Sequence, residues 1–402
     1  MSTLMNAAAI ERLKVFFLQI GRLLGSPSRR ESFATYALGI MGDGERKSTE
    51  PMASRACAEP ASADAAHQRL LHFVSNSPWS DRDVRRAAAR YALDAMTTRG
   101  PVQTWIVDDT GFLKQGKHSV GVQRQYTGSA GKIANCQIGV SLTVATEHDQ
   151  VPIDFELYLP QCWADDPRRR KEARIPDSVS FKTKPDLAID MIRRARRERI
   201  ARGVVLADSA FGSSSDFRRQ VRELGLHYAV GVDPQTAVFL LDPATGAPGA
   251  RVGVRDFAFD LYRCGQFRRC TWRKGTKQDL SARFAACRVV TAHDGMEPLW
   301  LLIEWRDGED EPANYFLSSL PASLNRKRLV GIVMQRWRTE RVYEDLKGEL
   351  GLDHFEGRRF PGWHHHVSVV LCCYAFIVSE RVRRFPPSHA RKTANRTISV
   401  AA

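Results

Sequence analysis

Over residues 1–100 the apolar positions recur at helical spacing. Ile10, Leu13, Phe16, Phe17 and Ile20 share one face. A loop around residues 42–52 and a connection over 56–66 interrupt the pattern. LLHFVSNSPWSDRDVRRAAARYAL then resumes it, with Ser80 placed to cap a helix that opens on Asp81 and Asp83. From residue 104 the spacing becomes that of strands: TWIVDDTGF, VGVQRQYTG, NCQIGVSLTVAT and VPIDFELYLP, the last two joined across EHDQ as a hairpin. KPDLAIDMIRRARRERIARG reads as an amphipathic helix entered at Pro185 and left at Gly203. Strand VVLAD, helix SSSDFRRQVRELG and strand HYAVGV follow. This alternation predicts an α/β fold, a partly parallel sheet with helices on its faces.

Residues 235–322 break the rhythm. RVGVRDFAFDLYR, RFAACRVVTA, LWLLIEWRD and NYFLSSLP are short strand-like runs between Gly and Asp turns, and they predict an all-β insertion. SLNRKRLVGIVMQRWRTERVYEDLKGELGL predicts one long helix that stops near Gly348–Gly351. VSVVLCCYAFIVSERVRR predicts a buried helix with a basic end. The expected organisation is a helical N-terminal domain (1–100), the first part of the α/β core (101–234), the β-rich insertion (235–322), a helical completion of the core (323–385) and a disordered tail (386–402).

Charge narrows the class of partner. Sixty Lys and Arg against 45 Asp and Glu leave +15 over 402 residues, which suits a polyanion, either nucleic acid or an acidic membrane surface. An Arg-rich proteome would produce the same balance. No apolar run of membrane-spanning length is evident, and the N-terminus lacks the layout of a secretory signal. The eight Cys form no CxxC pair, which argues against a zinc ribbon. Cys136, Cys372 and Cys373 lie inside apolar runs, as reduced thiols of a cytoplasmic protein do. The helical N-terminal domain either grips DNA or serves packing alone.

The candidate chemistry lies where apolar runs meet carboxylates. WIVDD ends on Asp108 and Asp109, and VVLAD ends on Asp208. In an open α/β sheet ligands bind beyond the carboxyl ends of strands. Two carboxylates placed there are costly to desolvate unless a cation joins them. Hard oxygen ligands favour Mg²⁺ or Mn²⁺, and a two-metal phosphoryl site needs a third acid. Glu340 is that candidate, since Arg336, Glu340 and Lys347 fall at i, i+4 and i+11 on one helical face. Taken alone, Arg336 and Glu340 read as a surface ion pair. Lys114, Lys117 and Arg124 follow the first strand, either as phosphate contacts or as a solvated basic loop. His364, His365 and His366 are too divergent on a helix to share a metal, and are expected at a helix opening near backbone phosphate. His148 and His227 have no assigned role.

WIVDDTGFLKQGKHSVGVQRQYTG, VLADSAFG and RWRTERVYEDLKGELGLDHFEGRRFPGWHHH together resemble the DDE transposases of bacterial insertion sequences, in particular the insertion-sequence 701 family, over residues 35–380. Related families mark their third acid with Tyr-x2-Arg-x3-Glu-x6-Lys. Arg336, Glu340 and Lys347 match that spacing, while Val333 occupies the Tyr position. The resemblance implies a ribonuclease-H-like mixed sheet flanked by helices, with a β insertion between Asp208 and Glu340. It implies that Asp108, Asp208 and Glu340 hold two Mg²⁺ (or Mn²⁺) ions; relatives read Asp-x-Thr at the first strand end, which Asp108-Asp109-Thr110 fits with Asp108 first, and Asp109 is the alternative. The implied activity is hydrolysis at the element ends, followed by attack of the freed 3′-OH on target DNA. Arg336 and Lys347 would clamp phosphate. Trp272, in the insertion, is either a holder of an extruded base or a core residue. Implied partners are double-stranded DNA, as terminal inverted repeats and target, and a second copy in a synaptic homodimer. The implied location is the bacterial nucleoid, with no membrane. The competing readings are a metal-dependent nuclease that cuts without joining and a catalytically silent DNA-binding regulator.

Overall fold

The computed structural model describes residues 6–384 apart from 243, 274, 276–278 and 295. The tail predicted over 386–402 lies outside the described residues. Helices α1 (Ala7–Leu24), α2 (Pro27–Met41), α3 (Thr49–Ala56), α4 (Ala63–Ser75) and α5 (Asp81–Met96) come first. Strands β1 (Thr104–Leu113), β2 (Gln123–Thr127), β3 (Lys132–Ala145) and β4 (Gln150–Tyr158) follow. Then come α6 (Gln161–Ala164), α7 (Pro167–Ala173), α8 (Lys184–Arg197), β5 (Val204–Ala207), α9 (Ser209–Gly212), α10 (Ser215–Glu223) and β6 (Tyr228–Val232). The remainder is β7 (Ala237–Leu241), β8 (Pro248–Gly253), α11 (Val254–Arg263), β9 (Arg268–Arg273), β10 (Leu280–Val290), β11 (Leu299–Trp305), β12 (Asn314–Ser318), α12 (Arg326–Val333), α13 (Trp337–Glu344) and α14 (Phe360–Arg384).

All the strands join one 12-stranded mixed sheet in the order β2-β3-β1-β5-β6-β12-β11-β10-β7-β8, with β4 beside β3 and β9 beside β10. Its first half has an antiparallel meander, β1, β3 and β4, extended by parallel β5 and β6. That is the ribonuclease-H-like arrangement, and helices flank it. The strands of 235–322 continue the same sheet through the antiparallel pairing of β12 with β6.

The two charged strand ends differ from expectation in one respect. VVLA does stop before Asp208. β1, by contrast, runs on to Leu113, paired residue by residue with β3 from Thr104↔Ala145 to Leu113↔Cys136. The reason is one-sided support. The long β3 supplies backbone partners along one edge, while parallel pairing with β5 ends at Ile106↔Leu206. Asp108 therefore sits inside a strand, where its other edge becomes free of β5.

Two further expectations are corrected. VRDFAFDLYR, read as a strand-like run, forms α11, because Val254 and Ala258 recur at i, i+4 and both bury. The single long helix predicted from residue 323 is broken by a 3₁₀ turn at Met334–Arg336, and after α13 by a π turn at Asp345–Glu349. Leu329, Val330 and Val333 bury in one apolar cluster with Ile106 and Leu206, whereas Val342, Tyr343 and Leu346 bury in the other. One straight helix would not reach both. The 3₁₀ turn re-aims the chain so that α12 lies over β6, the turn over β5, and α13 over β1 and β4.

α14 is long and apolar enough to cross a membrane by composition, a length the sequence reading did not credit, but most of it is buried inside the protein. It packs against α1, α2, α4, α5 and β4. Residues separated by most of the chain thus share one core. His364, His365 and His366 belong to it, which corrects their expected place near phosphate. His365 pairs its two ring nitrogens with the Val74 and Trp79 carbonyls at 2.7 and 3.1 Å and stacks on Trp79. His366 bonds the Tyr36 hydroxyl at 2.9 Å and the Gly351 carbonyl at 3.1 Å. Such burial demands partners, and both ring nitrogens of His365 and His366 find them within the protein. A charged knot ties these helices to the sheet. Arg85, 2% exposed, lies between Asp81, Asp154 and Glu156, at 2.7, 3.3 and 3.7 Å, and Arg194 of α8 reaches the latter two at 2.8 Å each.

Candidate active site

Asp108 is 7% exposed on β1. Side chains alternate along a strand, so Asp108 shares a face with Ser141 of β3, and Asp109 takes the opposite face. Asp109 is paired there with Lys184, at the start of α8, at 2.7 Å. On the Asp108 face, Arg336 arrives from the 3₁₀ turn. Its Nη1 donates to Asp108 Oδ2 at 2.7 Å and its Nη2 to Glu340 Oε1 at 2.9 Å.

Asp208 follows β5 directly and caps α9, accepting from the Ala210 amide at 3.0 Å. α9 can lie there only because two glycines let backbones meet. A Cβ on Gly212 would stand 2.1 Å from the Gly231 carbonyl oxygen, and one on Gly231 would stand 2.8 Å from the Ser209 amide nitrogen.

The electrostatics join these residues. Burial pushes the Asp108 carboxyl up to about 7; Arg336 pulls it down and the charge of Asp208 pushes it further up. Burial also raises Asp208, against the pull of Arg336 and with the push of Asp109. Burial opposes the charge on Arg336, yet Asp108, Glu340 and Asp208 outweigh it and raise its pKa. One guanidinium therefore bridges Asp108 and Glu340 and feels the charge of Asp208.

α13 is held in register by two hydroxyl contacts that sequence reasoning missed. Tyr343 and Ser141 hydroxyls lie 2.6 Å apart, and those of Thr339 and Thr143 lie 3.1 Å apart, all four buried. Thr339 and Tyr343 are one helical turn apart, matching Ser141 and Thr143 two residues apart on the strand. The signal was present. Within β3, in the apolar stretch NCQIGVSLTVA, the polar residues Asn135, Gln137, Ser141 and Thr143 all fall on one parity, which marks a strand face awaiting a polar partner.

The predicted basic residues are placed differently from one another. Lys347, on the π turn, donates to the Gly111 carbonyl at 2.7 Å and to Ser129 Oγ at 3.0 Å, and lies over the Phe112 ring. Burial lowers its pKa. Lys114 donates to the Phe355 carbonyl at 2.6 Å, and burial lowers it likewise. Lys117 and Arg124 are exposed. Trp272 is half-buried, edge-on to Phe284 at 5.6 Å, and packs on the cluster beneath α12.

A ribonuclease-H-like sheet with one buried acid within β1 and a second acid just past the parallel β5 defines a class of enzymes that act on phosphodiesters. The comparisons narrow that class. Residues 20–279, more than half of the chain, match the family model described as DDE superfamily endonuclease. The chain belongs to that family. The match includes Asp108 and Asp208 and ends before Glu340. A curated relative, described as a probable transposase for insertion sequence element IS701 from Microchaete diplosiphon, is 29% identical over 203 residues, 50% of this chain and 48% of the relative. The chain thus spans about half the length of the curated relative it matches.

Enzymes of this superfamily use divalent metal ions. Carboxylate oxygens are hard ligands that suit such an ion; Asp108 is held by Arg336 at 2.7 Å, and among the described residues no three His, Cys, Asp or Glu side chains are gathered as a metal site.

Proposed function

We propose that the chain is a DNA transposase that hydrolyses phosphodiesters at the ends of an insertion element and joins the freed 3′-OH to target DNA. The observation that carries this reading is the bridge Arg336 makes between Asp108 and Glu340, at 2.7 and 2.9 Å, in a chain similar to a probable insertion-sequence transposase. Asp108, Asp208 and Glu340 would hold two divalent ions, Mg²⁺ or Mn²⁺. When bound, these would neutralise charge on the attacking and leaving oxygens. Asp108 is favoured over Asp109 as a ligand because Asp109 is taken by Lys184 on the other face.

Arg336 would offer its two-pronged donor face to the phosphate. Lys347 would steady the Gly111 backbone beside it. Lys117 and Arg124 remain free to contact the DNA backbone, and the packing of Trp272 supports a structural role. Acting on two element ends calls for a homodimer working on DNA of the bacterial nucleoid.

The test is a strand-transfer assay with the wild-type chain, Mg²⁺ and labelled duplex carrying the inverted repeats that flank its gene. Joined products are expected, and Asp208→Asn should abolish them. Cut products alone would make the chain a nuclease, and bound but intact DNA would make it a silent regulator. Full cleavage by Asp208→Asn would overturn the site.

A further inference from the structure

A second feature lies apart from the carboxylates. Asn76, which follows α4, accepts at its Oδ1 from two guanidinium groups. One is Arg174 Nη1 at 3.0 Å, from the end of α7, and the other is Arg359 Nη1, from the turn before α14. Among the described residues neither arginine is ion-paired. Two like charges from distant segments meet on a neutral amide, an arrangement that repels itself until an anion joins it.

The site opens into a groove of about 720 Å³ between the α4–α5 junction and α7–α8. The carboxylates that line the groove are already engaged: Asp81 with Arg85 at 2.7 Å, Glu156 with Arg194 at 2.8 Å, and Asp190 with Lys182 and Arg193 at 2.5 and 2.9 Å. What remains toward solvent is positive. Arg82 keeps 62% of its side chain exposed with only a long contact to Glu156, 3.4 Å. Arg197 is exposed and has no partner among the described residues. Ser178 and Ser180 line the same space. Lys182, two residues before the Lys184 that is bonded to Asp109, is among the residues that line the groove.

We infer that this groove is a second DNA-binding track, separate from the carboxylate site. Arg174 and Arg359 together clamp one backbone phosphate at Asn76, and Arg82 and Arg197 meet its neighbours along the strand. Paired guanidinium groups match phosphate oxygens through several parallel hydrogen bonds, and serine hydroxyls add donors. The partner is duplex DNA, recognised through its backbone and without base specificity. This inference rests on the reading of the chain as an enzyme of DNA, and assigns where its substrate is held away from the cut.

The test is fluorescence anisotropy of a labelled duplex with the full chain over a salt series. Arg174→Ala/Arg359→Ala should weaken binding roughly tenfold or more and lower the slope of log affinity against log salt by about two. Arg197→Ala should lower it by about one. Arg197 makes no hydrogen bond or ion pair among the described residues, so that variant decides the question if the double variant misfolds. Wild-type affinity and slope in an Arg197→Ala protein, and in a double variant that melts as the wild type does, would overturn the inference. So would a groove that binds inorganic phosphate while duplex binding ignores all three arginines. A groove that passes these tests in a chain that never cleaves DNA with any divalent ion would sink the proposed function and leave the track standing.

Discussion

The hydroxyls of Tyr343 and Ser141 lie 2.6 Å apart in the interior, fastening α13 to β3. Glu340, three residues before Tyr343 and exposed, takes its position from this contact and from its neighbour Thr339 on Thr143. Tyr343→Phe removes the bond while keeping the ring. It should destabilise the protein by about 1 kcal/mol and slow DNA cleavage roughly tenfold or more, because small displacements of a reacting group are costly. Thermal melts beside a cleavage time course measure both. An unchanged rate in a destabilised protein would show that α13 needs no such anchor.

Asp108 makes stability depend on pH in a defined direction. Its folded pKa, about 7, lies above its ordinary 3.8, so the native state holds the proton more tightly than the unfolded chain. The stabilisation this group provides is fully present below pH 3.8 and is lost as pH rises through about 7. Asp208, also raised, acts in the same sense. Without divalent ions, Asp108→Asn should flatten the fall in unfolding free energy between pH 5 and pH 8, by on the order of a few kcal/mol at most.

Divalent ions compete with that proton. Mg²⁺ or Mn²⁺ should therefore stabilise the wild-type chain more at pH 8 than at pH 5, and Asp208→Asn should weaken the effect. Melts with and without the ion at the two pH values provide the check. An ion effect that ignores both aspartates would place the metal elsewhere.

Arg85 is the hub of the knot that joins α5, β4 and α8. Arg85→Met leaves Asp154 and Glu156 facing the interior with fewer cations. Burial pushes Glu156 up, but His364, Arg85 and Arg194 outweigh it and hold the carboxyl well below its usual range. The variant should lose about 3–5 kcal/mol, as removal of one partner of a buried ion pair does. Denaturant unfolding measures it, and a loss under about 1 kcal/mol would mean that Arg194 suffices.

Gly231→Ala probes the close approach at Asp208. The added Cβ would press on the Ser209 amide nitrogen, 2.8 Å away, and so on the turn that carries the carboxylate. Cleavage should fall by a larger factor than the stability loss explains, read as catalytic rate at saturating DNA against melting temperature.

Much of the α/β order was legible in the sequence. Helical and strand spacings located α8, β5, α10, β6 and the β3–β4 hairpin, because each buries one face and leaves the other in water. The acids stood out because a charge at the end of an apolar run needs a reason. Less legible was anything that depends on a partner distant in the chain. The burial of His364–His366 depends on α2, α4 and the α4–α5 junction, and the break before α13 on two separate apolar clusters.

By itself the sequence determined which residues are acidic, basic or apolar, and at what period, and hence which elements form. Only the tertiary structure decided that β1 outruns β5, that Asp108 and Asp109 part to Arg336 and Lys184, and that α14 sits at the heart of the N-terminal helices. The physical reason is that periodicity is a property of neighbours along the chain. Ion pairing and burial belong to neighbours in space, which exist only once the sheet has brought them together.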